Sequence, residues 1–246
     1  MSAPLLKIDG ISKRFGGNQA VKETSFHVDS GEILGLIGPN GAGKTTAFNM
    51  IAGYLESDTG DIQLNEKSIK GKKPWDICKA GIARTFQLSK PFGDLSVLEN
   101  IMVGGFVRSA DRRIIETKAR EVVVFLGMEA IIDQDALNLT AFDRRKLELG
   151  RALATEPKLL LMDEVVAGAT PNEASEMVEL VKNIRDRGVS ILIVEHVMHV
   201  IMNLSDRVIV LDSGNLIADG NPEEVVNDPE VMKAYFGEKY VQQQST

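Results

Sequence analysis

The stretch "EILGLIGPNGAGKTTAFNMIAG" constrains this chain more than any other. An apolar run of strand character enters a glycine-rich turn, and a helical pattern leaves it, ending near Gly53. Residues 38–45, "GPNGAGKT", fit G-x-x-x-x-G-K-[ST] at every position, so a strand, a tight loop and a helix must follow one another here. The glycines let the backbone turn its N–H groups inward on phosphate oxygens. The helix starting near Lys44 aims the positive end of its dipole at the same point. Gly38, Pro39, Asn40, Gly41, Ala42, Gly43, Lys44, Thr45 and Thr46 are therefore the candidate nucleotide-binding residues. Lys44 reaches toward the β- and γ-phosphates, and the Thr45 hydroxyl is a ligand for Mg²⁺.

The rest of the chain alternates short apolar segments with amphipathic ones. "LLKIDG", "TSFHV", "DIQLN", "GIARTFQ", "KLLLMDE", "SILIVE", "RVIVLD" and "LIADG" read as strands. "DRRIIETKAREVVVFLGM", "RRKLELGRALA", residues 173–185 and "HVMHVIMNLS" read as helices, and Pro222 and Pro229 suit the starts of terminal helices. The β signal fades between about residues 96 and 153. Strands alternating with helices predict an α/β fold, its mostly parallel sheet covered on both faces. The expected organisation is one domain over residues 1–246. It comprises a core of about 1–89 and 153–221, a helical lobe of about 90–152 and a C-terminal helical extension of about 222–246.

Composition excludes some roles. A net charge of -7 argues against general nucleic-acid binding, and one cysteine, Cys78, cannot close an internal disulfide. The N-terminal "MSAPLLKIDGISKRF" lacks a signal-peptide core, and no apolar run nears the roughly 20 residues that span a bilayer. A cytoplasmic chain, with any membrane role acting through a partner, is expected.

Further motifs add chemistry. "LLLMDE" places Asp163 at the end of a buried strand, where it can hold Mg²⁺, and Glu164 beside it, where it can polarise water. His196 follows "SILIVE", and Gln87 follows "ARTF"; taken singly, both positions are ordinary surface or loop sites. In order, the chain presents Phe15, the glycine loop, Gln87, a helical stretch, "LLLMDE" and His196.

That order and spacing resemble the nucleotide-binding subunit of ATP-binding cassette (ABC) transporters, over nearly the whole chain. "PFGDLSVLENIMVG", "GRALATEPKLLLMDE", "AGATPNE" and "IADGNPEEVVNDPEVMKAYFGE" look like the branched-chain amino-acid transport ATPases. The resemblance implies a P-loop ATPase fold with an antiparallel β part. It implies ATP and Mg²⁺ as ligands, Phe15 stacked on adenine, and Glu164 as general base. Gln87 would sense Mg²⁺ and the attacking water, and His196 would contact the γ-phosphate. Residues 167–170 would cross to a partner ATPase. Other implied partners are transmembrane permease subunits and, indirectly, a periplasmic or extracellular solute-binding protein. The implied task is ATP-driven import at the cytoplasmic face of a membrane; a lipid or lipopolysaccharide exporter ATPase and a weakly hydrolysing regulatory subunit are the alternatives.

The sequence departs from the family at one place. The signature that closes over a partner's ATP is usually L-S-G-G-Q or a near variant, whereas this chain reads Leu139, Thr140, Ala141, Phe142, Asp143. Phe142 replaces a glycine, and Asp143 adds a negative charge. Two readings stand. Closure over a partner's ATP is weakened, which favours a heterodimer with one good site over a homodimer. Alternatively, the variant is tolerated because Thr140 and Asp143 match [ST]-x-x-[DE], or because Asp143 is itself the N-cap. Val165 also stands where the family usually has proline.

Overall fold

The computed structural model describes residues 3–85 and 90–236. Strands β1 (Leu6–Phe15) and β2 (Asn18–Val28) form a long bulged hairpin, and β3 (Ile33–Ile37) leads into helix α1 (Lys44–Ile51). β4 (Thr59–Leu64), β5 (Lys67–Ser68), α2 (Pro74–Ala80) and β6 (Ile82–Arg84) follow. Helices α3 (Val97–Gly105), α4 (Arg112–Phe125) and α5 (Ala141–Leu153) pack on one another. The chain then runs through β7 (Leu159–Asp163), α6 (Pro171–Asp186), β8 (Ser190–Val194), α7 (Met198–Leu204), β9 (Arg207–Asp212) and β10 (Asn215–Gly220). It closes with α8 (Pro222–Val226) and α9 (Pro229–Phe236), both opened by the expected prolines.

Two sheets result. One is antiparallel, in the order β2-β1-β4-β5; the other runs β10-β9-β3-β8-β7-β6 and is parallel except for the β9–β10 pair. Successive residues of the central strands serve opposite cores, because side chains alternate across a sheet. Leu34, Leu36, Leu161, Leu192 and Ile209 pack toward α1 and the antiparallel sheet. Ile33, Ile37, Leu160, Ile191 and Val208 pack toward α3 to α7. That double burial is why these strands read as unbroken apolar runs. Among the described residues, no helix is long and apolar enough to cross a membrane.

Helices α2 and α3 escaped the sequence reading. α3 nevertheless carries a start signal: Ser96 accepts from the Glu99 amide, and the Glu99 carboxylate accepts from the Ser96 amide. On α3, the fully buried Asn100 gathers the preceding loop. Its amide nitrogen donates to the carbonyls of Phe92, Leu95 and Ser96, each at 3.0 Å, and its oxygen accepts from the Phe92 amide at 2.9 Å. Replacing Asn100 by Ala strands those groups and is expected to cost about 2–3 kcal/mol in urea unfolding.

Candidate nucleotide site

The glycine loop is built from behind by other strands. A Cβ on Gly38 would lie 2.0 Å from the Leu211 carbonyl oxygen, and one on Gly43 would lie 2.4 Å from that of Ala20. Both positions have positive φ, 149° and 105°, so glycine is required for space and for backbone conformation alike. The turn between β9 and β10 completes the support: the Gly214 amide donates to the Ala42 carbonyl at 3.0 Å, and the Lys22 amide to the Gly214 carbonyl at 2.8 Å. Pro39 is half-buried, Asn40 and Gly41 are exposed, and the first turn of α1 places Thr45 in solvent and half-buries Thr46.

Lys44 is buried, and its Nζ donates to the carbonyls of Gly38 at 2.6 Å and Pro39 at 3.0 Å, which curls the side chain back over the loop. Burial lowers its pKa, opposed by the negative charges of Glu164 and Asp163. The lysine and the two acids therefore share one electrostatic neighbourhood. Parallel register explains the convergence. Leu36 and Asp163 both lie opposite Val194, so the loop after β3, the acids after β7 and the histidine after β8 emerge at one sheet edge.

Asp163 is mostly buried, and burial raises its carboxyl pKa despite the nearby Arg84 guanidinium. Arg84 Nη2 lies 3.4 Å from Asp163, and its Nη1 donates to the Asn49 side chain at 2.5 Å. Sequence reasoning missed this arginine. Thr45 and Asp163 line one groove of about 790 Å³ with Asn49, Tyr54, Arg84 and Arg151. A hydroxyl and a carboxylate facing one space suit Mg²⁺, which takes few protein oxygens and keeps waters and phosphate oxygens.

Glu164 adopts φ 51°, a conformation that is uncommon for a side chain of its size. Its amide donates to the Val194 carbonyl at 2.9 Å, and its Oε1 lies 2.7 Å from His196 Nε2. The structure thus joins the two residues that sequence order alone had suggested. Phe15 stands exposed at the end of β1. Gln87 lies outside the described residues.

At the altered signature, Thr140 is the N-cap of α5 and accepts from the Asp143 amide at 3.0 Å. Asp143 is therefore in the first turn and is not the cap. The Thr140 hydroxyl in turn donates to the Asp143 carboxylate at 2.7 Å. Phe142 packs against the core, with the Lys146 ammonium 5.7 Å from its ring centre. Leu139 is buried, whereas Ala141 is exposed. Arg145 donates to the Ala167 carbonyl, fastening α5 to the segment after Glu164.

Comparison with known proteins agrees with this geometry. Residues 21–167 match the family model described as ABC transporter, and residues 215–241 match that described as branched-chain amino acid ATP-binding cassette transporter. The chain is 37% identical to the high-affinity branched-chain amino acid transport ATP-binding protein LivG of Salmonella typhimurium, covering 97% of this chain and 100% of that protein. Identity to the LivG protein of Escherichia coli is 35% with the same coverage. A solved ATP-binding cassette of an ABC transporter in its ADP conformation superposes with a TM-score of 0.87 at 32% identity, covering 96% of this chain and all of that one.

Proposed function

This chain belongs to the ABC transporter family, among the branched-chain amino-acid transport ATPases, and from that premise we propose that it powers import of branched-chain or related amino acids. The convergence of Lys44, Asp163, Glu164 and His196 at one end of the sheet supports ATP hydrolysis, and likeness to the branched-chain transport ATPases supports the solute. It would work at the cytoplasmic face, bound to permease subunits that receive solute from an external binding protein, and it has no nucleic-acid role. The terminal match at residues 215–241 favours import over the exporter alternative. We also read the whole of 1–246 as one cassette, with its helical lobe at about 90–152 and its extension from about 222. The candidate permease contact is the surface carrying the exposed Tyr54, Trp75 and Phe92, rather than the Thr45 and Asp163 wall of the groove, with Arg151 stacked on the Phe92 ring.

The chemistry follows from positions. Phe15 offers a ring face to adenine. Loop amides of residues 38–46 and the α1 N-terminus hold the phosphates, and Lys44 leaves its two carbonyls for the charged oxygens. Thr45 and Asp163, with Gln87, would hold Mg²⁺, which when bound neutralises charge on the β- and γ-phosphates. Glu164 accepts the proton of the attacking water, and His196 holds that carboxylate in place and meets the γ-phosphate.

We further propose that the signature is weakened and that the chain works in a heterodimer. The Thr140 hydroxyl that would reach a partner's phosphate already donates to Asp143. Phe142 adds a Cβ to the backbone where the family's glycine has none, even with its ring packed against the core. A carboxylate about 5 Å from a phosphate oxygen costs roughly 3 kcal/mol at an effective dielectric near 20. Solvent at this half-exposed helix end reduces that to about a tenfold effect. The purified chain alone is expected to hydrolyse ATP barely above background, and the double change Phe142→Gly with Asp143→Gln to raise turnover about tenfold. An already active wild-type homodimer would show that residues 139–143 form a working signature.

A further inference from the structure

Glu195 directly follows the apolar strand β8 and is only 2% exposed. Its Oε1 accepts from the Val166 amide at 3.0 Å. That hydrogen-bond partner is a backbone amide and not a cation. Burial raises its carboxyl pKa, while the amides of Val166 and His196 favour the charged form. Removing a carboxylate from water is unfavourable, so a leucine would serve packing better here.

The positions of its contacts explain the acid. Val166 lies two residues after Glu164, and His196 immediately follows Glu195. The segment after β7 is therefore stitched to the segment after β8 three times: Glu164 amide to Val194 carbonyl at 2.9 Å, Val166 amide to the Glu195 carboxylate at 3.0 Å, and His196 to the Glu164 carboxylate at 2.7 Å. The first two stitches fix the backbones that carry the third.

We propose that Glu195 is a positioning residue for ATP hydrolysis, its buried carboxylate clamping the turn after Glu164 to the His196 segment and so setting the spacing of that pair. The proposal rests on the reading of Glu164 as general base. Without the clamp, the turn carrying Glu164 drifts while the glycine loop, held by β2 and the β9–β10 turn, keeps its grip on nucleotide.

The test uses the transporter complex purified through a tag on this chain, with Glu195→Ala, Glu195→Gln or Glu164→Gln introduced. ATPase kinetics are read on the complex, and affinity for a fluorescent ATP analogue and thermal melting on the isolated chain. Glu195→Ala is expected to lower kcat about 10- to 100-fold, as displacement of a catalytic group by about 1 Å does. KM for ATP and analogue affinity should stay within about twofold, since the misplacement does not touch the phosphate loop. Glu195→Gln keeps an acceptor oxygen and is expected to restore most of the turnover. Wild-type kcat in the alanine variant overturns the clamp. So does an equal loss in the glutamine variant, or a joint fall of kcat, affinity and melting temperature that marks a merely structural role. If Glu164→Gln itself turns over normally, the general-base reading fails instead.

Discussion

Glu164→Gln is expected to lower kcat for ATP by about 10²- to 10³-fold while leaving nucleotide affinity unchanged. Glutamine keeps the shape and still bonds His196, so the fold and the phosphate cradle stay intact. It cannot take a proton from water, which removes an interaction made only in the transition state. Single-turnover hydrolysis in the transporter complex separates this from slow product release. A variant that binds and turns over at the wild-type rate would place the base elsewhere. Asp163 would be a poor substitute, since it is held by Arg84 and lines the groove with Thr45.

Lys44→Ala is expected to act at an earlier step. The ammonium is buried and already held over the loop by two carbonyls, so little side-chain entropy is lost when it meets phosphate. Hydrogen bonds to charged groups are worth about 1.5–3 kcal/mol, so nucleotide affinity should fall roughly 10- to 150-fold. Loss of a preorganised charge at the transferring phosphoryl group adds about 10²-fold or more in kcat/KM. Calorimetric titration with ATP and Mg²⁺ reads the first effect, and steady-state kinetics the second. Unchanged affinity would mean that the loop amides alone hold the phosphates. Lys44→Arg is not expected to rescue, because a planar guanidinium is larger than the compact ammonium held at the Gly38 and Pro39 carbonyls.

Much of the site is legible in residues whose chemistry leaves few alternatives. The turn of the glycine loop is legible because two of its glycines meet backbone oxygens that any Cβ would strike. The placement of Asp163 and Glu164 is legible because an apolar strand that ends in acids presents them where the chain leaves the sheet. The antiparallel sheet is expected only through the family resemblance, because the alternation in β1, β2 and β4 does not itself say which strands pair. Helix α2 is only seven residues long, and its N-cap Lys73 makes no side-chain cap. Helix α3 ends in two glycines, which masks a capping box visible at Ser96 and Glu99. Arg84 and Glu195 bond to residues far away in sequence, so nothing local marks them. At the signature, spacing left the roles of Thr140 and Asp143 open, and only the direction of their hydrogen bonds distinguishes cap from first turn.

The left-handed backbone at Glu164 has a consequence for how this protein can be improved. Asparagine or glycine would occupy φ 51° with less strain than glutamate does. Selection for heat resistance alone would therefore drive position 164 toward residues that cannot accept a proton from water. On the proposed role of Glu164, thermostability programmes should hold residue 164 fixed and seek their gains at other left-handed positions such as Glu23, Glu66 and Glu156.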